Sequence, residues 1–240
     1  MIMTTPWENI NKETVKIAKT TDKPKIAVCV PYNSNWYPEW VEKSYCPLKY
    51  IPTNWCTKSI FLSKVQSISV ARDILVNSAL QANCDYIFFI DTDMIFESPN
   101  DPNVALNTLY QVINKDPNTK DGKIVSGLYR AKQATGFNFA AWIKAPNNIK
   151  GYTPIQSWTG NWINVSVTGM GCILIDMKVF KELPRPWFKW ELKEDISEDF
   201  SFLELAKSNG FDTHVFTDVK LSHLGGLKVR SNGEIVTPDM

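Results

Sequence analysis

Asp91 and Asp93 stand one residue apart at the end of an apolar run, within the segment Asp-Tyr-Ile-Phe-Phe-Ile-Asp-Thr-Asp-Met-Ile-Phe from Asp85 to Phe96. Carboxylate oxygens are hard ligands. A pair of them at the mouth of a buried strand suits a divalent ion such as Mg or Mn, which readily shares its shell with substrate phosphates. Asp-X-Asp alone occurs in loops of every kind; its setting makes it informative, because Tyr86 to Ile90 is apolar on both faces, as in a central strand of a covered parallel sheet. Three further groupings join it: Arg72-Asp73, Ser197-Glu198-Asp199, and Leu221-Ser222-His223-Leu224-Gly225-Gly226. Together and in this order they are far more specific than any one of them.

The elements that must position these residues follow from periodicity. Lys25 to Val30 is a short apolar strand ending at Pro31, followed by a long loop from Tyr32 to Lys58 with one or two helical turns around Glu39 to Ser44. That loop carries Trp36, Tyr37, Trp40, Tyr45, Tyr50 and Trp55, which either line a sugar or base or, more commonly, pack onto the domain. Val65 to Gln81 predicts a helix, with Val70, Ile74, Leu75 and Leu80 at helical spacing and Ser67 or Ser69 as its cap. Val104 to Ile113 predicts a second helix, and Lys123 to Tyr129 a strand ending at Arg130. Strand, helix, strand, helix, strand is the order of a doubly wound α/β half.

Further on the character changes. Asn138 to Lys144 and Thr153 to Trp158 flank Pro146, Asn147, Asn148 and Gly151, which predicts an antiparallel hairpin. Val165 to Asp176 is an apolar strand broken by Gly169 and Gly171; Phe180 to Trp190 reads as loop; Glu198 to Asn209 is a helix stopping at Gly210; and Thr213 to Thr217 is a last strand. The expected fold is α/β, one Rossmann-like domain with a mixed, mostly parallel sheet flanked by helices and an antiparallel hairpin region in its second half.

A chain of 240 residues that is 44% hydrophobic can bury a sizeable core, and a net charge of +1 spread along it provides no dedicated nucleic-acid or membrane surface. No apolar stretch is long enough to span a bilayer, and Met1 to Lys25 lacks the apolar core of a signal peptide, so a soluble cytoplasmic protein is expected. Five cysteines without a Cys-X-X-Cys pairing read as free buried thiols, although Cys46 and Cys56 share a loop in which they could bridge.

With these residues in view the chain resembles the GT-A glycosyltransferases, nucleotide-sugar-dependent enzymes, from about Lys25 to Gly226, and most closely the small viral and prokaryotic members. The resemblance is carried by Ala71-Arg72-Asp73, Asp85 to Asp93, Thr168-Gly169-Met170-Gly171-Cys172, Pro186-Trp187-Phe188, Ser197-Glu198-Asp199 and His223-Leu224-Gly225. It implies that Asp91, Asp93 and His223 hold Mn or Mg against the diphosphate of a donor, with UDP- and GDP-sugars foremost. His223 would bind as neutral imidazole, so activity is expected to fall as it protonates. By the same resemblance Asp199, with Glu198 second, deprotonates the acceptor hydroxyl, while Pro31, Tyr32 and Asn33 receive the base and ribose and Arg72 and Thr92 lie by the nucleotide and diphosphate. Gly169, Gly171, Trp187 and Arg130 are assigned to sugar or acceptor, with Trp187, Phe188 and Trp190 in a loop that closes over the donor. Residues 1–24 would then be an N-terminal extension, 25–130 the nucleotide-binding half and 131–240 the acceptor-binding and catalytic half.

The bland alternatives stay open at this level. The dipole of a helix start stabilises Glu198 and Asp199 without any catalytic role, and the glycines can mark a bulge. Arg72 can simply pair with a carboxylate, and His223 and His214 can be structural. Four functions compete: an inverting glycosyltransferase acting on a carbohydrate, protein or small-molecule acceptor; a retaining one with the same metal site; a phosphatase with an aspartyl nucleophile; and a non-catalytic carbohydrate-binding module.

Overall fold

In the computed structural model the described residues are 23–32, 36–64, 67–97, 101–115, 123–131, 138–145, 151–191, 196–224, 228–233 and 235–236. Most of the expected N-terminal extension, Asn33, the hairpin tip at Pro146 to Asn148, and Gly225 and Gly226 lie outside them. The first half runs β1 (Lys25–Tyr32), α1 (Pro38–Trp40), a π-helical stretch Val41–Tyr45, α2 (Cys46–Tyr50), β2 (Thr57–Lys64), α3 (Ile68–Gln81), β3 (Tyr86–Ile90), β4 (Met94–Phe96), α4 (Pro102–Ile113) and β5 (Ile124–Leu128). The second half runs β6 (Ala141–Lys144), β7 (Tyr152–Pro154), β8 (Trp162–Val165), β9 (Val167–Thr168), β10 (Cys172–Asp176), α5 (Met177–Glu182), α6 (Glu198–Ser208), β11 (Thr213–His223), β12 (Lys228–Val229) and β13 (Ile235–Val236).

The main sheet has the order β13-β12-β11-β5-β10-β3-β1-β2. Strand β1 is parallel to β2 and β3, β5 is parallel to β11, and β10 and β12 each run antiparallel to both neighbours, so six of these eight strands point one way. A small second sheet, β7-β6-β9, is antiparallel throughout. The α/β mixed sheet flanked by helices, with an antiparallel hairpin region in the second half, is the architecture expected from the sequence. Strands β1, β3 and β10 form the centre, and Ile26 to Val30, Ile87 to Ile90 and Cys172 to Ile175 are wholly buried, which is why these runs are apolar on both faces. Ring-on-ring packing of Phe180, Phe188 and Phe202 seats α6 on this core; each such side chain contributes about 1.5–3 kcal/mol when fully buried.

Several elements differ from the sequence expectation. Strand β2 was covered by no expected strand: it is a sheet edge with one neighbour, and its polar residues fall at buried as well as exposed positions, with Ser63 buried and Leu62 exposed, which hides the alternation. The aromatic loop is mostly packing. Trp40 is fully buried against Tyr45 and Trp36, and Trp55 lies against Tyr110 on α4. The stretch expected as loop after Phe180 begins inside α5, capped by Asp176, whose carboxylate accepts from the Lys178 N–H at 2.9 Å. The last strand does not stop at Thr217 but continues through an irregularity between Phe216 and Lys220 to His223. Cys46 and Cys56 form no bridge, and all five cysteines are free.

Candidate functional site

Asp91 and Asp93 occupy the chain just beyond β3, where strand geometry ends. The Asp91 N–H donates to Gly171 O at 3.0 Å, and the Met94 N–H folds back to Asp91 O at 3.2 Å, closing a tight turn. Strand β4 then pairs antiparallel with the end of β11, placing His223 opposite Met94. The Leu224 N–H donates to Asp93 O at 2.7 Å. The early Asp-Thr-Asp and the late histidine, 130 residues apart in sequence, are thus brought together by strand pairing: His223 Nε2 is 3.2 Å from Asp93 Oδ2.

Arg72 sits beneath this turn. It projects from α3 with only 3% of its surface exposed. One terminal nitrogen bonds Glu198 Oε1, and the other lies 3.4 Å from both oxygens of Asp91. The guanidinium therefore bridges the end of β3 to the start of α6. Burial raises the carboxyl of its neighbour Asp73, and the nearby main chain of Phe188 and Trp187 opposes that rise. Arg72, expected beside the diphosphate, is thus buried and engaged by carboxylates.

The two acids at the start of α6 have different surroundings. Glu198 is buried and bound by Arg72, whereas Asp199 is half-buried, accepting from the Ser197 hydroxyl and from the Phe200 N–H at 2.9 Å. Asp199 is the more accessible carboxylate, and Glu198 is a tie.

Charge is out of balance here. Burial pushes the Glu198 carboxyl up despite Arg72, while the Asp91, Glu198 and Asp199 carboxylates raise Arg72 against its own burial. One cation is shared among several anions, which accounts for both directions. Asp91 is pushed up to about 6 by burial, with Arg72 opposing and Asp93 adding to the rise. An acid whose folded pKa exceeds its unfolded value near 4 favours folding while protonated, and that contribution is lost as pH rises through about 6. Urea denaturation should therefore show the wild type losing stability relative to Asp91→Asn between about pH 4 and pH 6.5; a constant or opposite difference would contradict this charge balance.

The donor set fits a hard divalent ion in part. Arg130 O can only accept, so the 2.9 Å contact from His223 Nδ1 requires the proton on Nδ1. In the neutral ring the Nε2 lone pair then faces the Asp93 carboxylate, an arrangement relieved by a proton or a cation. Metal-ligating histidines commonly donate their second nitrogen to a carbonyl in this way. Asp91, the third expected ligand, faces Arg72. Among the described residues no group of three or more His, Cys, Asp or Glu side chains is gathered to hold a metal ion.

No protein-family model matches the chain, and no curated protein matches it in sequence. Among solved structures, the crystal structure of A197 from STIV is similar over 90% of this chain and 95% of its own, with a TM-score of 0.62 and 16% identity. The two chains share a fold. UDP-glucose pyrophosphorylase, apo and complexed with UDP-glucose, aligns over 87% of this chain and 78% of its own at TM-scores of 0.41 and 0.42 and identities of 9% and 10%, a likeness too loose to carry an argument.

The remaining expected residues divide. Pro31 and Tyr32 end β1 at the same end of the sheet, since β1 runs parallel to β3, with Tyr32 standing edge-on to Trp36; Thr92 lies in the turn between the two aspartates. Arg130 stacks over Phe139 at 4.2 Å and donates from Nε to Ser231 O at 3.0 Å. Trp187 and Phe188 are each 3% exposed and packed on Phe180, so they form an aromatic floor and not a closing loop; Trp190 is the exposed ring of this segment, at 45%. Gly169 and Gly171 lie against Tyr129, a residue that sequence reasoning passed over as the mere end of a strand. No described helix is long and apolar enough to cross a membrane.

Proposed function

We propose that this chain is a metal-dependent glycosyltransferase, moving a sugar from a nucleoside diphosphate to a hydroxyl acceptor with inversion. The observation that carries the reading is the contact of Asp93 with His223 in the turn beyond β3, beside the Arg72 guanidinium that engages Asp91 and Glu198, at the carboxyl end of β3, the end of a parallel sheet where ligands are bound. Excess carboxylate at that point attracts a cation, and a cation attracts a diphosphate. Asp93 and His223 would hold Mn or Mg, with Asp91 beside them as the further ligand. A divalent ion there stabilises the negative charge that grows on the diphosphate as the sugar departs.

The chain's own groups do the rest. The donor base and ribose lie at the end of β1 against Pro31 and Tyr32, in the half formed by residues 25–130. The acceptor approaches from the half formed by residues 131–240, where Asp199 takes the proton of its hydroxyl as the new glycosidic bond forms and the bond to phosphate breaks. Glu198 is held by Arg72 and keeps the start of α6 in register for that transfer.

A thermal-shift screen tests the reading with UDP-, GDP-, CDP- and dTDP-sugars, each with Mn, Mg or EDTA. One nucleotide sugar should raise the Tm only when metal is present, by the equivalent of about 2.7 kcal/mol at a hundredfold excess over Kd. No response to any nucleotide would sink it. Carbohydrate binding indifferent to metal would favour a non-catalytic module.

A further inference from the structure

We propose that Tyr129 is the positioning residue of this site: its buried hydroxyl, lodged against Gly169 and Gly171, holds the turn bearing Asp91, and its ring supports His223. Tyr129 follows β5 and is 3% exposed. Its hydroxyl accepts the Gly171 N–H at 3.0 Å, and the carbonyl of the same glycine accepts the Asp91 N–H at 3.0 Å. A single residue thus connects the phenol to the first aspartate.

Space says the same. A Cβ on Gly169 would stand 2.5 Å from the Tyr129 hydroxyl oxygen, and a Cβ on Gly171 would stand 3.2 Å from it and 2.5 Å from Met94 Cε. Ordinary contacts do not reach 2.5 Å, so both glycines are explained by side chains already present and need no approaching sugar. On its other side the Tyr129 ring meets His223 edge-on, with centroids 5.9 Å apart and planes at 88°. The next residue supplies the carbonyl that accepts from His223 Nδ1. Two consecutive residues therefore set both the ring plane and the tautomer of His223. Burial, with Asp91 adding to it, raises the Tyr129 phenol well above its ordinary range, which keeps it a neutral hydrogen-bonding group and not a base.

The consequence for turnover rests on the glycosyltransferase reading; the geometry does not, and the test separates them. Gly169→Ala should lower Tm by roughly 5 °C in the wild type and by less than half as much in a Tyr129→Phe background, where the hydroxyl is gone. Equal losses in both backgrounds would overturn the proposal whatever the reaction. The chain has two histidines, so imidazole ¹⁵N spectra resolve His223: its fixed Nδ1–H tautomer should persist in Tyr129→Phe and be lost in Tyr129→Leu. Tyr129→Met, which fills the volume without an aromatic edge, takes the place of leucine if that variant does not fold. An unchanged His223 spectrum would also overturn the proposal. With the glycine coupling present, Tyr129→Phe should weaken Mn affinity or kcat by about 10–100-fold with acceptor KM unchanged. Unaltered values of both would remove the positioning role and leave the proposed function standing. If the wild type binds no Mn and turns nothing over, the glycosyltransferase reading fails while the coupling and the spectra still decide the role of Tyr129.

Discussion

Arg72→Met is expected to lower the free energy of unfolding by about 3–5 kcal/mol, because removing one member of a buried charge cluster leaves its partners uncompensated. Glu198 would remain buried without its cation, and Asp91 would lose the group that restrains its rise in pKa. Arg72→Lys should recover only part of the loss. A single ammonium cannot reach Glu198 Oε1 and both Asp91 oxygens as the two forks of a guanidinium do. Urea denaturation measures this without any assumption about substrate. A loss below about 1 kcal/mol for methionine would mean that the bridge between β3 and α6 does not matter to the fold.

Asp93→Ala and Asp199→Asn should both lose activity, by different routes. Asp93 is a quarter exposed, so alanine there spares the fold but removes the carboxylate facing His223. Metal-dependent stabilisation by the donor should vanish, and turnover should fall roughly a thousandfold. Asp199→Asn should keep donor binding and metal response while lowering kcat by about 10²–10⁴-fold, the usual contribution of a general base. Glu198→Gln is the informative companion: as a tie to Arg72 it should affect stability more than chemistry. Were Glu198→Gln to abolish turnover and Asp199→Asn to leave it intact, the two roles would be exchanged. Product anomer analysis reads the stereochemistry directly, and retention would remove the need for Asp199 as a base.

Much of this architecture was legible before any coordinates. Central strands buried on both faces must be continuously apolar, so β1, β3, β5 and β10 announced themselves, as did α4 through its 3.6-residue spacing; α3 forms where expected, but Val70 and Ile74 of its expected stripe are exposed, and Ala71, Val76 and Ala79 are buried with Leu75 instead. Local chemistry marked the ends: Gly210, at a φ of 86°, closes α6 as its position predicts. An edge strand such as β2 was illegible because a strand with one neighbour need not bury alternate residues: Lys64 is exposed, while Lys58 turns inward to Ile51 O and Asn103.

For the site, residue types and their order were local information, and they nominated Asp91, Asp93, Glu198, Asp199 and His223. Which of them meet was not local. That Arg72 reaches Glu198 across 126 residues of sequence and joins it to Asp91, that Tyr129 lodges between two glycines and a histidine, and that Trp187 packs on Phe180 follow from strand order and packing. Spacing along the chain encodes period and turn. Contact between distant side chains is decided only when the sheet closes and burial forces each polar group to find the partner that is then within reach.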